Sequence, residues 1–219
     1  MNVIIIGSGA VAAELTSHIE DQNKHVAAEK QINLKGYLDS KENIEKYWTK
    51  YKFKKPVLAD IHSYDIQEND YFIIGISDIS FRSKLIKMLE NKNAKITGLI
   101  HYSAMINETA VIGKGTIIYP HCIIGPNCTI GENNMITSYS FISHDCTVGN
   151  SNFFSTTGLA GNVTVGHNNY FGIRSTIIPH VVIGSNNIIQ AGMVIDKDVE
   201  NNETVFYKYK EKIIAIPKI

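Results

Sequence analysis

The sequence is poor in the residues that cross-link, rigidify or charge a chain. Of 219 residues, three are cysteine, five proline and one tryptophan. An odd cysteine count excludes a fully paired disulfide scaffold and fits a reducing compartment. Lys+Arg and Asp+Glu are 21 each, so there is no charge surplus of the kind nucleic acid or an anionic membrane surface attracts. One basic run, Lys50 to Lys55, reads as a solvated loop ahead of Pro56. No apolar stretch approaches the ~18–20 residues that a spanning helix needs. The first ten residues, MNVIIIGSGA, lack the basic segment and small-residue cleavage pattern of a secretory signal. The expectation is a soluble, cytoplasmic protein with neither a nucleic-acid nor a membrane partner.

What is present falls into two halves with different periodicity. In the first, strand and helix signals alternate. NVIIIG, LKGYLD, YFIIGI and AKITGLI read as strands. The helix after the first strand carries Val11, Leu15 and Ile19 on one face, and a later one Phe81, Leu85, Met88 and Leu89. Such alternation predicts a Rossmann-like α/β domain with a parallel sheet over 1–97.

The second half repeats every six residues. Steps of six from Ile100 reach Ile106, Ile112, Ile118, Ile124 and so on to Phe154; one step of five leads to Leu159, and sixes resume to Ile195. Every anchor is large and apolar. The fourth residue after an anchor is often small, as at Ala104, Cys122, Cys128, Ser140, Cys146, Gly158 and Ser175, so the cysteines read as inward packing residues. A hexad repeat marks a parallel β-helix with three short strands per coil, expected over 98–198, and 199–219 leaves the repeat as a cap.

With these segments in place, the chain resembles the hexapeptide-repeat acetyltransferases, and within them the bacterial enzymes that N-acetylate nucleotide-linked 4-amino-4,6-dideoxy sugars, grouped with sialic acid O-acetyltransferases. The segments that carry the resemblance are the Gly-rich start, GYLD, IIGIS…FR, the hexads and SHDCTVG. The resemblance implies that the β-helix is left-handed and that the chain forms a homotrimer. It also implies acetyl-CoA as cosubstrate, with active sites between neighbouring subunits.

It implies, too, that His144 is the general base and that Asp145 beside it raises its basicity. A lone histidine at this place reads as a surface residue; the match to H-[DE]-C-x-[IV]-G singles it out. The chemistry agrees, because a sugar amine must lose a proton as it attacks a thioester, and such assistance is worth ~10²–10⁴ in rate. One coil on, Gly161 matches the family's oxyanion donor, and reads equally as a turn glycine. His121 and His180 read as exposed corners, and His101 and His167 have no acidic neighbour in sequence. No metal-ligand spacing is present, so no required metal is expected.

The start GSGAVAAEL is close to G-x-G-x-x-A, a tight turn into a helix whose N-terminus favours phosphate. Alone it would suggest a dinucleotide enzyme; the β-helix behind it argues against hydride transfer. By resemblance Gly9, Ala10 and Val11 contact the sugar nucleotide, with Asp39, Ser40 and Gly75, although a loop acid and a strand-end glycine read equally as structural. Phe153, Ile173 and Ala191 correspond to CoA-contacting positions, the last two also readable as wall residues. Phe153 stands where relatives often have a second histidine. The usual terminal turn near CoA is replaced by KYKE, which puts Lys208 or Lys210 on the CoA phosphates.

The reaction expected is acetyl transfer to the C4 amine of a dTDP- or UDP-linked 4-amino-4,6-dideoxy sugar in surface-glycan (O-antigen) biosynthesis. Attack is direct, since no cysteine is placed as nucleophile. The alternatives are O-acetylation of sialic acid or another sugar, and a non-catalytic sugar-nucleotide-binding regulator.

Overall fold

The computed structural model of the chain describes residues 2–207. The first strand, β1 (Asn2–Ile6), is apolar and buried from Val3 to Ile6, as expected of a strand covered on both faces. It lies at the centre of a five-stranded parallel sheet of order β3-β2-β1-β4-β5, with β2 (Asn33–Leu38), β3 (Val57–Ala59), β4 (Asp70–Ile74) and β5 (Lys95–Ile96). Three helices cover it: α1 (Ala10–His25), α2 (Lys41–Tyr51) and α3 (Ile79–Asn91).

Several expectations change here. AKITGLI is two strands: Lys95–Ile96 completes the sheet, whereas Leu99–Ile100 pairs with Ile117–Ile118 and begins the β-helix. Helix α2 and strand β3 carried no signal, because α2 buries no residue and so shows no apolar stripe. Lys50 belongs to α2 rather than to a loop. On α3 the buried residues are Arg82, Leu85, Ile86 and Leu89, while Phe81 is 45% exposed. On α1 they are Ala12, Leu15 and Ile19, with Val11 only half-buried.

From Leu99 onward each hexad supplies a two-residue strand, and the strands stack in parallel into a three-sided, left-handed β-helix. Face 1 holds seven strands, from Leu99–Ile100 to Thr204–Val205. Face 2 holds six, from Met105–Ile106 to Val194–Ile195. Face 3 holds five, from Val111–Ile112 to Val182–Ile183. Pairing on face 1 runs to Val205, so the coil extends past residue 198 into the segment expected to be a cap. The anchors from Ile118 to Ile195 are buried, but Ile100 is 42% exposed and Ile106 and Ile112 are half-buried, since no coil lies beneath them.

The five-residue step is absorbed before Thr157. Thr157 precedes its strand as Ser140 does, is buried, and donates its N–H to Ser140 Oγ at 3.0 Å. Gly158 therefore faces outward, not inward. It pairs with Phe141, and a Cβ there would meet the Phe141 ring at 2.5 Å. The inward residues of face 1 are larger than the small-residue pattern suggests. Asn134, Asn152, Asn169 and Asn187 stack there, wholly buried. Asn152 Nδ2 donates to the Gly166 carbonyl at 2.9 Å, and Asn152 Oδ1 accepts the Asn169 N–H at 2.8 Å. The amides thus satisfy backbone groups that the corners would leave unpaired in the interior.

The α/β domain sits on face 1, whose outward Ile117, Met135 and Phe153 are buried beneath it. Arg82 crosses the junction. It is 2% exposed, donates to the Ile74 and Ile76 carbonyls at 2.8 and 3.1 Å, and reaches the Asn133 carbonyl of the β-helix at 3.0 Å. Burial lowers its pKa to about 10, which still leaves it charged near neutrality.

Candidate functional site

From Gly115 to Gly192 each corner of the β-helix places one residue in the left-handed region, which Asn and Asp tolerate best among residues with a Cβ. Asp145 is the corner residue between faces 2 and 3, at φ 59°. The corner turns His144 and Asp145 outward and together. His144 Nδ1 lies 2.7 Å from Asp145 Oδ2, and Asn127 Nδ2 from the coil below donates to Asp145 Oδ1 at 3.1 Å. Hydrogen bonds from His144 and then Asn127 hold the Asp145 carboxyl below its usual range. With Nδ1–H donated to the carboxylate, Nε2 carries the lone pair and has no hydrogen-bond partner among the described residues, the arrangement a general base requires.

Gly161 is the equivalent corner position one coil on. A Cβ on it would lie 2.6 Å from His144 Nε2, so the imidazole rests against the glycine. Asn162 N donates to the His144 carbonyl at 3.0 Å, whereas the Gly161 N–H finds no acceptor among the described residues. The structure therefore brings His144, Asp145 and Gly161 into one cluster. Cys146, two residues on, points inward and gives its Sγ–H to the Ala160 carbonyl at 3.1 Å. Burial pushes its thiol up to about 11, as it does that of Cys122, so neither offers a thiolate.

The second cluster is at the carboxyl ends of the parallel strands, where open α/β sheets hold ligands. Gly9, Ala10, Val11, Asp39 and Gly75 line one cavity of about 490 Å³ there. Ser40 does not line it, and caps α2 by accepting the Asn43 N–H at 3.4 Å. Asp39 is 9% exposed and accepts four hydrogen bonds, from Ser8 N, Ser8 Oγ, Ser40 N and Asn43 Nδ2, at 2.6–2.9 Å. Four bonds use a carboxylate's whole capacity, so in this arrangement Asp39 shapes the glycine-rich loop. The opposite wall, Asn43, Tyr47, Lys50 and Tyr51 of α2 with Phe81, escaped the sequence reading. Its signal is the spacing 43, 47, 50, 51, a polar and aromatic helical face with no apolar partner stripe.

Through Val11 and Ser77 this cavity adjoins a second, of about 460 Å³, between α1 and the β-helix. Ser77 and Tyr170 also border a third, of about 760 Å³, between α3 and face 1. Of the CoA-position residues, Phe153 lines the second cavity and stacks on Tyr170 at 5.3 Å, 7% exposed. Ile173 and Ala191 are exposed at the corner between faces 1 and 2 rather than part of the wall. Lys208 and Lys210 lie outside the described residues. None of the three cavities includes His144, Asp145 or Gly161.

The remaining histidines separate in the same way. His121 and His180 are exposed corners in the left-handed region. His167 Nδ1 accepts the Asn150 N–H at 2.9 Å. His101, expected to lack an acidic neighbour, has Asp21 of α1 at 3.4 Å, a contact across the domain junction that linear sequence hides.

This architecture, a small parallel α/β domain ahead of a left-handed β-helix, is that of known acetyltransferase structures. A family model described as bacterial transferase hexapeptide (six repeats) matches residues 103–138. PerB from Caulobacter crescentus, solved with CoA and GDP-perosamine, superposes with a TM-score of 0.79 at 22% identity, over 93% of each chain. The acetyltransferase domain of PglB from Neisseria gonorrhoeae gives 0.77 at 17% identity, over 93% of this chain and 95% of that one. WeeI from Acinetobacter baumannii gives 0.70 at 20%, over 93% and 96%. No curated protein matches by sequence.

Proposed function

We propose that the protein is an acetyl-CoA-dependent N-acetyltransferase acting on the C4 amine of a nucleotide-linked 4-amino-4,6-dideoxy sugar. The observation that carries this reading is the His144–Asp145 pair resting on Gly161, a base with its orienting carboxylate beside an unengaged backbone donor. The glycine-rich cavity supplies a place for the nucleotide, and PerB, with its GDP-linked amino sugar and CoA, supports the pairing of the two ligands on this fold. His144 Nε2 takes the proton from the attacking amine. The Gly161 N–H receives the oxygen as charge builds on it. Collapse breaks the C–S bond and the proton passes to the CoA sulfur.

Acetyl-CoA lies along the corner bearing Ile173 and Ala191, with Phe153 close by. The base and the nucleotide cavity meet in a homotrimer, where His144 of one copy faces the cavities of the next. A cytoplasmic location fits acetyl-CoA and nucleotide sugars as substrates. The nucleotide is dTDP or UDP, and GDP enters the test because of PerB.

The test follows CoA release with dTDP-, UDP- and GDP-linked 4-amino-4,6-dideoxy sugars and with sialic acid, for wild type and His144→Ala. One amino sugar should turn over, and the variant should lose at least ~10²-fold in rate. A variant as fast as wild type makes His144 a surface residue. Turnover of sialic acid alone transfers the reading to O-acetylation.

A further inference from the structure

The cavity between α1 and the β-helix has a chemistry that neither the glycine-rich loop nor the His144 cluster accounts for. Helix α1 presents Val11, Glu14 and His18 to it at helical spacing, on a different face from its buried Ala12, Leu15 and Ile19. Across from them stand the hydroxyl-bearing Thr137, Ser138, Ser155 and Thr156, with Phe153 and Tyr170 forming an aromatic floor. Hydroxyls around an aromatic face suit a pyranose, which has polar edges and apolar ring faces. At about 460 Å³ the space falls within the ~300–1,000 Å³ typical of small-molecule sites.

Its charge is one-sided. Glu14 is exposed, and among the described residues its carboxylate is engaged only by the Tyr119 hydroxyl, at 3.3 Å. Among the described residues no lysine or arginine lines the cavity. The His18 ring, edge-on to Tyr119 at 4.4 Å, has a buried Nε2 without a partner among the described residues. Burial, with His101 second, lowers its pKa to about 4, so it adds no positive charge near neutrality. An anionic sugar would meet a carboxylate with no cation among the described residues lining the same cavity, whereas an ammonium would gain a charge-assisted hydrogen bond.

We propose that this cavity holds the reacting sugar, and that Glu14 selects a sugar bearing a cationic amine over one bearing a carboxylate. The inference rests on the proposed function and extends it to the acceptor. The amine binds as ammonium. One proton leaves to solvent before attack; a second passes to His144 as the C–N bond forms, and from His144 to the CoA sulfur as the C–S bond breaks. The product amide carries no charge, so the attraction to Glu14 ends with the reaction and release is favoured.

The experiment is calorimetric titration without acetyl-CoA. The matching nucleoside diphosphate, its 4-amino sugar and the 4-acetamido product are each titrated into wild type, Glu14→Gln and Glu14→Asp. Wild type should bind the amino sugar at least ~10-fold more tightly than the diphosphate or the acetamide, as a charge-assisted bond allows. Glu14→Gln should remove that difference, leave diphosphate affinity within ~3-fold and keep the wild-type melting temperature; Glu14→Asp should restore part of it. An unchanged preference in Glu14→Gln, or wild-type affinity for the amino sugar no greater than for the bare diphosphate, overturns the inference and leaves the proposed function standing. If wild type binds neither diphosphate nor amino sugar, the proposed function falls with it.

Discussion

An imidazole resting on a glycine can be displaced by a single methyl. In Gly161→Ala the new Cβ would sit 2.5 Å from His144 Cε1, and the exposed ring is free to swing away. The fold is then little affected, while His144 leaves Asp145 and the space above the Gly161 N–H. We expect transfer to fall ~10²-fold, the cost of a displacement of about 1 Å in a reacting group, with a melting temperature within ~2 °C of wild type. Steady-state kinetics beside a thermal melt checks this, and undiminished turnover would mean that the observed ring position is not the reactive one. That His144 and Gly161 share a corner was legible in sequence, because period six places them one coil apart whatever the loop details; the roles proposed for them came only from the resemblance. Glu14 and His18 were not legible. The reading of α1 followed its apolar stripe, and a polar residue on a helix acquires meaning only when the element opposite is known. Asp39 shows the converse: its identity was visible, but not the four donors that saturate it.

The segment between β4 and α3 borders all three cavities through Ser77, and Arg82 fixes it to the β-helix. A buried cation held by three carbonyls is an expensive way to fill space, since an apolar residue of similar volume is often as stabilising. Its contribution is position. Arg82→Met should therefore fold with a melting temperature close to wild type, raise KM for the sugar nucleotide ~10-fold and leave KM for acetyl-CoA within ~3-fold. Arg82→Lys should recover part of the loss, because three ammonium donors can reach some of the same carbonyls. A parallel rise in both KM values would point to general loosening of the domain. Element boundaries were least legible at this junction. AKITGLI reads as one strand because its composition is uniform, yet its two halves hydrogen-bond into different sheets. Sequence periodicity records which face a residue turns to, and says nothing of which neighbour that face meets.

At the scale of the molecule, a single chain keeps the His144 corner apart from the three cavities. Face 1 is covered by the α/β domain, and the middle of face 3 turns Thr129, Thr147 and Thr164 outward. Face 2 instead exposes three apolar residues on successive coils, Met105 at 68%, Ile123 at 47% and Phe141 at 44%, with Val194 at 56% beyond Gly158 and Thr176. A monomer rarely leaves such a contiguous surface to water. Face 2 is also the strip bounded on one edge by the His144 corner and on the other by the corner bearing Tyr139, Thr156 and Ile173. Rotating copies about an axis alongside face 2 carries the first edge of one chain toward the second edge of the next, and cyclic closure makes every such site equivalent. The pair Met105→Glu and Ile123→Glu, on coils remote from His144, places carboxylates on this face without touching the base. Sedimentation should find the wild type at three times the 24.4 kDa chain mass and the variant at that of one chain. The variant should still bind the nucleoside diphosphate, because the glycine-rich cavity lies within one chain. Transfer should fall at least ~10²-fold, since base and acceptor no longer meet. A monomeric variant with wild-type turnover would show that one chain suffices, and that His144 reaches an acceptor held by its own α/β domain.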